Sequence, residues 1–348
     1  MTGRAGTRER GAGGMTPKNV VMADVARAAG VSLQTVSRVL NGSTAVREST
    51  RTTVLRLVDE LGYRPNLQAR SLASRRTNLI GVLVVGTVYH GLASTLLAVE
   101  EAARRAGLLV TITRVAADDA AGVTGAMARI GSQRPECVVV LAQHGATVPE
   151  LLAHHDGIPM VLLLSGQHDL PGVATVSIDQ ESGVRAVLEH LRERGCRTVT
   201  HVAGPRSWTD ATSRAELVER LAPALGMVAT VVDADSWDAE DGYRAGRRIA
   251  AGPLPDAVVA SNDLLALGVL AALRESGDRV PEDVVVTGFD DVPGAGFFDP
   301  PLTTVRQDFA ALGAGAVRCA RELCDGGPTR DLRVAPQLVV RASTGGAS

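Results

Sequence analysis

Three short segments near the start of the chain carry apolar residues at helical spacing. They are Met22–Ala29, Leu33–Leu40 and Glu48–Leu61, and glycine or Asn-Gly ends each of them. Ser32 directly precedes the second segment and is a favourable N-cap residue. Because a turn that contains Gly30 joins two of these short helices, the pattern predicts a helix-turn-helix motif.

From Leu79 onward the pattern changes to short apolar runs that alternate with amphipathic segments. The apolar runs predict strands at Leu79–Val85, Leu108–Thr113, Cys137–Ala142, Met160–Leu164, Thr198–Ala203, Met227–Val232, Ala257–Ala260 and Val284–Gly288. Helices are predicted at Ser94–Ala106, Gly183–Arg194, Glu240–Ala251 and Leu264–Ser276. Nearly continuous apolar strands that alternate with helices are typical of parallel sheets covered on both faces. About 270 residues of this pattern suit two α/β lobes.

Charge is distributed unevenly between these two regions. Residues 1–77 contain one Lys and twelve Arg against five acidic residues, a balance of +8, and the remainder has a balance of −10. The whole chain therefore has a net charge of only −2. A basic N-terminal module on an acidic body indicates a polyanionic partner for the first module alone.

Other features of the sequence exclude several protein classes. No stretch approaches the roughly 18 apolar residues of a membrane span, and residues 1–18 are Gly- and Arg-rich without the apolar core of a secretory signal. We therefore expect a cytoplasmic protein whose first 18 residues are disordered. The four cysteines form no C-x-x-C pair and no zinc-spaced cluster, so we expect buried thiols and neither a metal nor a cofactor.

The second short helix carries side chains suited to reading DNA. In a helix-turn-helix, the N-terminal residues of this helix contact base edges in the major groove. Gln34 can pair with adenine, Leu33 can pack on a thymine methyl group, and Arg38 can contact guanine or phosphate. The alternative is a helical hairpin with a polar outer face, which the basic charge of the module disfavours.

At this point the sequence resembles the LacI/GalR (lac-repressor) family. The segment MADVARAAGVSLQTVSRVLNG at residues 22–42 is similar to the family's DNA-reading motif. The likeness continues in family order through LGYRPN at 61–66, ARSLA at 69–73, SIDQ at 177–180, HL at 190–191, AGP at 203–205, SND at 261–263, ALG at 266–268, GFDD at 288–291 and PLTT at 301–304. It therefore covers nearly all of residues 20–341.

The resemblance implies which residues contact DNA. The recognition helix and its flanks would supply Ser32, Leu33, Gln34, Thr35, Ser37, Arg38 and Asn41. A hinge helix at 66–74 would form on DNA in the minor groove and contribute Asn66, Ala69 and Leu72, with Leu72 as an apolar wedge that kinks the duplex. The alternative interpretation of this segment is a flexible linker.

Two positions depart from the family pattern. Val21 stands where the family often has a capping Thr, and Arg47 stands where it has a capping Ser before the third helix. Each missing cap should weaken its helix start by roughly 1 kcal/mol. These departures concern the stability of the domain more than its function.

The resemblance also implies the domain organisation. We expect a tail at 1–18, an all-α helix-turn-helix domain at 19–64, a hinge at 65–77 and an effector-binding and dimerisation domain at 78–348. The last of these would be a two-lobe α/β domain like the periplasmic binding proteins. Its first lobe would span about 78–175 and 306–335, and its second lobe about 176–305 and 336–348.

In such a domain the ligand lies between the lobes, at the carboxyl ends of the parallel strands. Asn262, Asp290 and Gln307 each follow a predicted strand or crossing, and Arg214 lies ten residues after Gly204. In the family these positions contact the effector. A carboxylate can accept hydrogens from two sugar hydroxyls, and Arg or Asn can bind adjacent hydroxyls.

Aromatic residues are scarce, yet four of the nine fall at positions that the family places at the cleft. They are Tyr89, Trp208, Trp237 and Phe309. A flat ring packs well on the C–H face of a pyranose, although ordinary packing at the lobe edges is the alternative. Trp208 paired with Asp210 favours glycosides of glucose or galactose type. Leu164-Ser165 stands where the family often has an acidic or polar residue, so contacts from the first lobe stay open.

Catalytic motifs are missing from the sequence. It contains no G-x-S-x-G elbow and no H-E-x-x-H, and Asp290-Asp291 is better explained by hydroxyl recognition than by acid–base catalysis. We therefore predict a non-enzymatic regulator, a homodimeric repressor that binds double-stranded operator DNA. The resemblance implies that a small-molecule effector, a sugar, releases it from the DNA. The alternative is the same kind of regulator with a purine or phosphorylated metabolite as co-repressor.

Overall fold

The computed structural model describes residues 20–40, 43–64, 76–117, 119–154, 157–165, 170 and 172–346. The chain divides into two compact units, residues 1–77, here called the head, and residues 78–348, here called the body. No helix in the described part of the chain is long and apolar enough to cross a membrane.

The described part of the head is helical. Its helices are α1 (Met22–Ala29), α2 (Leu33–Leu40) and α3 (Glu48–Glu60). The bounds of the first two match those predicted, and the third ends one residue earlier than expected. The apolar stripes of these helices meet in one small core, which contains Val25, Ala26, Val36, Val39, Val54 and Tyr63. The helix-turn-helix prediction is therefore confirmed.

Caps fix the starts of these helices in different ways. Ser32 Oγ accepts the backbone N–H of Thr35 at 3.1 Å, as its N-cap position predicted. Val21 offers no side-chain cap, but the carboxylate of Asp24 accepts the backbone N–H of Val21 at 3.1 Å, which partly compensates. Arg47 gives no side-chain cap to α3.

The first lobe of the body is built on a six-stranded parallel sheet in the order β11-β5-β4-β3-β1-β2. Its strands are β1 (Leu79–Val85), β2 (Leu109–Val115), β3 (Cys137–Ala142), β4 (Met160–Leu163), β5 (Val173–Ile178) and β11 (Asp331–Val334). Its helices are α4 (His90–Arg105), α5 (Ala120–Ser132), α6 (Val148–Ala153) and α11 (Phe309–Cys324), with a 3₁₀ turn at Gly145–Thr147.

The second lobe has a four-stranded parallel sheet in the order β7-β6-β8-β9 and a two-stranded antiparallel sheet, β10-β12. Its strands are β6 (Thr198–Ala203), β7 (Val228–Asp233), β8 (Ala257–Ala260), β9 (Val285–Thr287), β10 (Thr304–Arg306) and β12 (Gln337–Val339). Its helices are α7 (Gln180–Glu193), α8 (Thr209–Ala224), α9 (Ala239–Ala250) and α10 (Asp263–Ser276), with 3₁₀ turns at Ala295–Phe297 and Ala342–Thr344.

Both main sheets are buried on their two faces. Along β1, Val82 and Val84 enter one core cluster, whereas Leu83 and Val85 enter another on the opposite face. This arrangement explains why the strand is apolar at consecutive positions. The two-lobe α/β fold class is therefore confirmed.

The predicted lobe boundaries need small corrections. The first boundary, placed at about residue 175, falls inside β5, which stays paired in the first sheet through Ile178. The second was placed before Arg306, but that residue still pairs with Gln337 of the second lobe. The chain therefore crosses between lobes after β5, after β10 and between β11 and β12.

Candidate functional site

A cavity of about 840 Å³ of empty space, part of it open to solvent, lies between the two lobes of the body. Residues of β3, β4 and β5 and the starts of α4, α8 and α11 line it. The structure brings together here all nine residues predicted to contact an effector. They are Tyr89, Trp208, Asp210, Arg214, Trp237, Asn262, Asp290, Gln307 and Phe309.

Arg214 is held by the protein at several of its atoms. Its Nε donates to Gln180 Oε1 at 2.9 Å, and its Nη1 donates to the carbonyl oxygen of Ser261 at 2.5 Å. The guanidinium also lies 3.7 Å from the ring centroid of Phe289. Its Nη2 lies 4.0 Å from Oδ2 of Asp210, which also lines the cavity, and only 2% of Arg214 is exposed.

Asp290 follows β9 on a backbone with φ of 112°, and its N–H donates to Val305 O at 2.8 Å. Gln307 Nε2 donates to Asp290 Oδ1 at 2.5 Å. Burial raises the pKa of Asp290 to about 6, although the nearby positive charge of Arg214 and the ring of His90 oppose this rise. The cavity thus contains a carboxylate that has few partners and titrates close to neutral pH.

Asn262 has a structural task in addition to any contact with a ligand. Its Oδ1 accepts the N–H of Leu265 at 2.8 Å and so caps α10, and its Nδ2 donates to Trp237 O at 3.2 Å. One N–H and one lone pair of the amide are left for other partners. The next residue, Asp263, is fully buried, and burial together with the charge of Asp290 raises its pKa to about 7.

Aromatic rings form a cluster on one side of the cavity. The centroids of Tyr89 and Trp208 are 5.5 Å apart, and those of Trp208 and Trp237 are 5.8 Å apart, both pairs edge to face. Phe309 contacts His90 on another side, with a centroid distance of 5.9 Å. The Nε1 donor of Trp237 is buried and has no hydrogen-bond partner among the described residues.

The lobes also contact each other directly at the rim of the cavity. The N–H of Thr209, the first residue of α8, donates to Gln143 O at 2.9 Å, and its hydroxyl donates to the same oxygen at 3.2 Å. His144 Nδ1 donates to Ser207 O at 2.9 Å, and its ring lies 5.1 Å from that of Trp208. The first lobe therefore caps the start of a second-lobe helix.

In the head, α2 separates its buried and exposed positions clearly. Val36 and Val39 enter the core, whereas Ser32, Leu33, Gln34 and Arg38 are exposed and Thr35 and Ser37 are half-buried. Leu33, a large apolar residue near the start of α2, is 53% exposed. The other predicted DNA contacts, Asn41, Asn66, Ala69 and Leu72, lie outside the described residues, as does the predicted hinge helix.

Comparisons with known proteins match both units. Residues 21–66 match the model of bacterial regulatory proteins of the lacI family, and residues 188–344 match a periplasmic binding protein-like domain. The lactose operon repressor of Escherichia coli (strain K12) is 30% identical over 331 residues, which are 94% of this chain and 91% of that protein. The transcriptional repressor PurR of Haemophilus influenzae (strain PittEE) is 32% identical over 92% of this chain and 97% of that protein. The chain belongs to the LacI family.

Solved structures of LacI-family regulators share its architecture. The lac repressor bound to ONPG in the repressed state superposes with a TM-score of 0.83 at 29% identity. The match covers 94% of this chain and 100% of the lac repressor chain. A complex of the transcriptional regulator CelR with cellobiose gives a TM-score of 0.68 at 30% identity, and the match covers 93% of this chain and 99% of that chain. The chain is therefore a LacI-family transcriptional repressor with a DNA-binding and a ligand-binding domain.

Six polar residues that line the cavity of this LacI-family chain were not among the predicted effector contacts. They are His90, Thr95, Gln143, Ser165, Ser177 and Gln180. Gln180 is the most important, because it positions Arg214 and also donates to Ser165 Oγ at 3.2 Å. It directly follows Asp179 at the end of β5, so a polar residue after a strand was the available indication, and the strand itself went unrecognised.

Asp291 does not line the cavity, unlike its neighbour Asp290. Its carboxylate binds Arg306 and Arg341, each at 2.7 Å, and so ties β10 to the C-terminal segment. A shared acid–base role for the two carboxylates therefore has no geometric basis. Among the described residues, no group of three or more His, Cys, Asp or Glu side chains is arranged to hold a metal ion.

Proposed function

We propose that a sugar is the effector of this repressor and that its binding between the lobes releases operator DNA. The observation that carries the proposal is that Asp290 and Arg214 line the same cavity as a cluster of aromatic rings. A carboxylate accepts from hydroxyl groups and a guanidinium donates to them, so together they match adjacent hydroxyls of a pyranose.

Three further properties support a sugar. The cavity combines a largely apolar lining with a few convergent polar side chains, as small-molecule sites commonly do. The rings of Trp208 and Trp237 offer flat surfaces for the C–H face of a pyranose. The unpaired Nε1 of Trp237 is a buried donor, which costs about 1–3 kcal/mol until an acceptor satisfies it. A hydroxyl or ring oxygen is such an acceptor.

For the head, we propose that α2 enters the major groove of the operator. Gln34 would read adenine, Leu33 a thymine methyl group and Arg38 guanine or a phosphate. Asn66, Ala69 and Leu72 would act in the minor groove as a hinge. The lac repressor structures include a dimer bound to operator, so we infer a homodimer on a pseudo-palindromic site, acting on the chromosome in the cytoplasm.

A second candidate effector is a purine that acts as a co-repressor. The observation in its favour is the similarity to repressors named PurR, which are about 30% identical over nearly their whole length. A planar base could stack between aromatic rings of the cavity, and Asp290 could accept its amino hydrogens. We favour the sugar because both tryptophans approach edge to face rather than as two parallel walls.

Two measurements test the proposal together. Calorimetry on the full chain with glucose, galactose, their glycosides, sugar phosphates and purines should give binding by a sugar or glycoside alone. Fluorescence anisotropy should then show that this ligand weakens binding to DNA fragments selected by the protein from a random pool. Tighter DNA binding with a purine would overturn the sugar assignment and support co-repression.

A further inference from the structure

Three of the four cysteines of the chain belong to the core of the first lobe. Cys137 is the first residue of β3, whereas Cys319 and Cys324 lie on α11. Cys137 and Cys319 are members of the core, and Cys324 packs against it from the last position of the helix. Cys137 is fully buried and Cys324 is half-buried, so Cys324 is the more accessible of these two thiols.

The thiols of Cys137 and Cys324 contact each other. Cys324 Sγ donates to the carbonyl oxygen of Glu136 at 3.2 Å, which places it beside the residue that precedes Cys137. The two cysteine side chains are also hydrogen-bonded to each other. A disulfide can form only between cysteines whose side chains face each other, and this pair meets that requirement although the two residues are far apart in sequence.

The two thiols differ in reactivity. The hydrogen bond with Cys324 and burial raise the pKa of the Cys137 thiol well above its usual range, so this thiol stays protonated. Cys324 stands at the end of α11, and the two residues that follow it, Asp325 and Gly326, are exposed. The first reaction with an oxidant therefore takes place at Cys324, and Cys137 is the resolving thiol beside it.

We propose that Cys137 and Cys324 form an oxidation site of this repressor, at which hydrogen peroxide joins the two thiols in a disulfide. Cys324 Sγ attacks one peroxide oxygen, the O–O bond breaks, and the second oxygen leaves as water, so that Cys324 becomes a sulfenic acid. Cys137 Sγ then attacks Cys324 Sγ, the S–O bond breaks, and the hydroxyl leaves as water with the proton of the Cys137 thiol. Two electrons pass from the thiols to the peroxide, and both of its oxygen atoms end in water.

The thiol pair lies next to the residues with which the body begins. The carboxylate of Glu136 accepts the backbone N–H of Asn78 at 2.8 Å, and the N–H of Glu136 donates to Leu79 O at 2.9 Å. The head ends directly before Asn78, and Leu79 begins β1. A disulfide removes the hydrogen that Cys324 donates to Glu136 and moves the end of α11 towards β3. We therefore expect oxidation to disturb the start of β1 and to weaken DNA binding by the head.

Peptide mass spectrometry on the full chain tests the proposal. The reduced protein is treated with hydrogen peroxide, the remaining thiols are alkylated, and the protein is digested without reductant. We expect one main pair of crosslinked peptides, which joins Cys137 to Cys324 and disappears with dithiothreitol. A main product that contains Cys319 or Cys196, a disulfide between two chains, oxidation of Cys324 to a sulfinic acid alone, or unmodified thiols would overturn the proposal.

Two variants connect the disulfide with DNA binding. Cys324→Ser keeps a hydrogen-bond donor for Glu136 and should form no disulfide, whereas Cys319→Ala, on the same helix, is the matched control and should form it as the wild type does. In fluorescence anisotropy with DNA fragments selected by the protein, peroxide should weaken binding by wild type and Cys319→Ala roughly fivefold, the effect of one lost hydrogen bond. Dithiothreitol should restore it.

The variant Cys324→Ser should bind DNA equally well before and after peroxide. A loss of binding that Cys324→Ser shares would assign the effect to another oxidised residue and refute the connection. A disulfide between Cys137 and Cys324 that leaves DNA binding of the wild type unchanged would refute it as well.

Discussion

Replacement of Asp290 by Asn removes one negative charge from the cavity and keeps the shape of the side chain. Burial raises the pKa of Asp290 from 3.8 to about 6, so the ionised carboxylate destabilises the folded protein at pH 7.5. Two pKa units correspond to about 3 kcal/mol, a net value that already includes the attraction of Arg214, and it is an upper value because the Asn amide also loses water on burial. We therefore expect Asp290→Asn to be more stable by about 1–3 kcal/mol at pH 7.5.

The pH dependence of this gain follows from the sign of the shift. A raised carboxyl pKa means that the wild-type protein avoids the penalty below pH 3.8, where the group is protonated in both states, and incurs it as pH rises through about 6. The stability difference between Asp290→Asn and wild type should therefore be large at pH 7.5 and small at pH 4. Urea denaturation at both pH values measures it.

The same substitution should weaken binding of the effector. A hydrogen bond to a charged acceptor contributes about 1–1.5 kcal/mol more than one to a neutral acceptor. For each sugar hydroxyl that donates to Asp290, the variant should therefore bind the effector roughly 5- to 13-fold more weakly. Asp291→Asn is the matched control: it breaks two ion pairs outside the cavity, so it should lower stability and leave effector affinity within about twofold. A variant Asp290→Asn that is less stable than wild type at pH 7.5, or that binds effector normally, would refute the reasoning.

Three further predictions concern pH, the guanidinium and the head. Effector affinity, measured by calorimetry, should fall as pH drops below about 6 and Asp290 gains a proton, and a flat profile would contradict its role as acceptor. Arg214→Lys should weaken the response of operator binding to effector at least tenfold, because one ammonium cannot replace the fork that binds Gln180 and Ser261; a normal response in an anisotropy titration would refute this. Gln34→Ala should lower operator affinity by about 1–3 kcal/mol with the same salt dependence, since Gln34 is expected to contact a base, and an unchanged affinity would argue against that contact.

The elements that the sequence predicted well are those whose apolar pattern is unbroken. β1, β3 and β8 carry no polar side chain because the sheets are covered on both faces, and their predicted bounds match the structure. β6 was also predicted with the correct bounds, although Thr198, Thr200 and His201 lie in it. β5 was missed although all six of its residues are buried, and Thr175 and Ser177 interrupt its apolar run.

Other elements carry too little local information to be found. β10 and β12 have three residues each, and they are defined only by their pairing across 30 residues of chain. Helix α8 was not predicted as a helix because a buried Arg214 stands on its inward face and Pro223 in its last turn. In both cases long-range contacts decide the structure.

The sequence predicted several residues that line the cavity, but it did not predict their hydrogen-bond partners. The resemblance and the positions after strands brought Arg214, Asn262 and Asp290 to one cavity, where the structure places them. That Asn262 caps α10, and that Gln180 holds Arg214, depend on side-chain geometry between segments far apart in sequence. The spacing of residues along the chain therefore does not predict these hydrogen bonds.

Helix α8 carries both a contact between the lobes and a charged residue of the cavity. Its first residue, Thr209, binds the first lobe at Gln143, and Arg214 stands little more than one turn later. A ligand that binds Arg214 and Asp290 therefore acts on the same helix end that the rim contacts hold. A shift from 1:99 to 99:1 between open and closed forms needs about 5.5 kcal/mol, more than these few rim contacts supply, so the ligand must supply much of it.

The rim contact of His144 tests this coupling without touching the ligand. His144→Ala removes the hydrogen bond to Ser207 and the ring contact with Trp208, and His144 is not among the residues that line the cavity. A loss of about 1 kcal/mol of closure energy should weaken effector binding roughly fivefold. Operator affinity without effector should stay unchanged, because the change affects only the closed form. Effector affinity equal to that of wild type would show that binding and closure of the rim are independent.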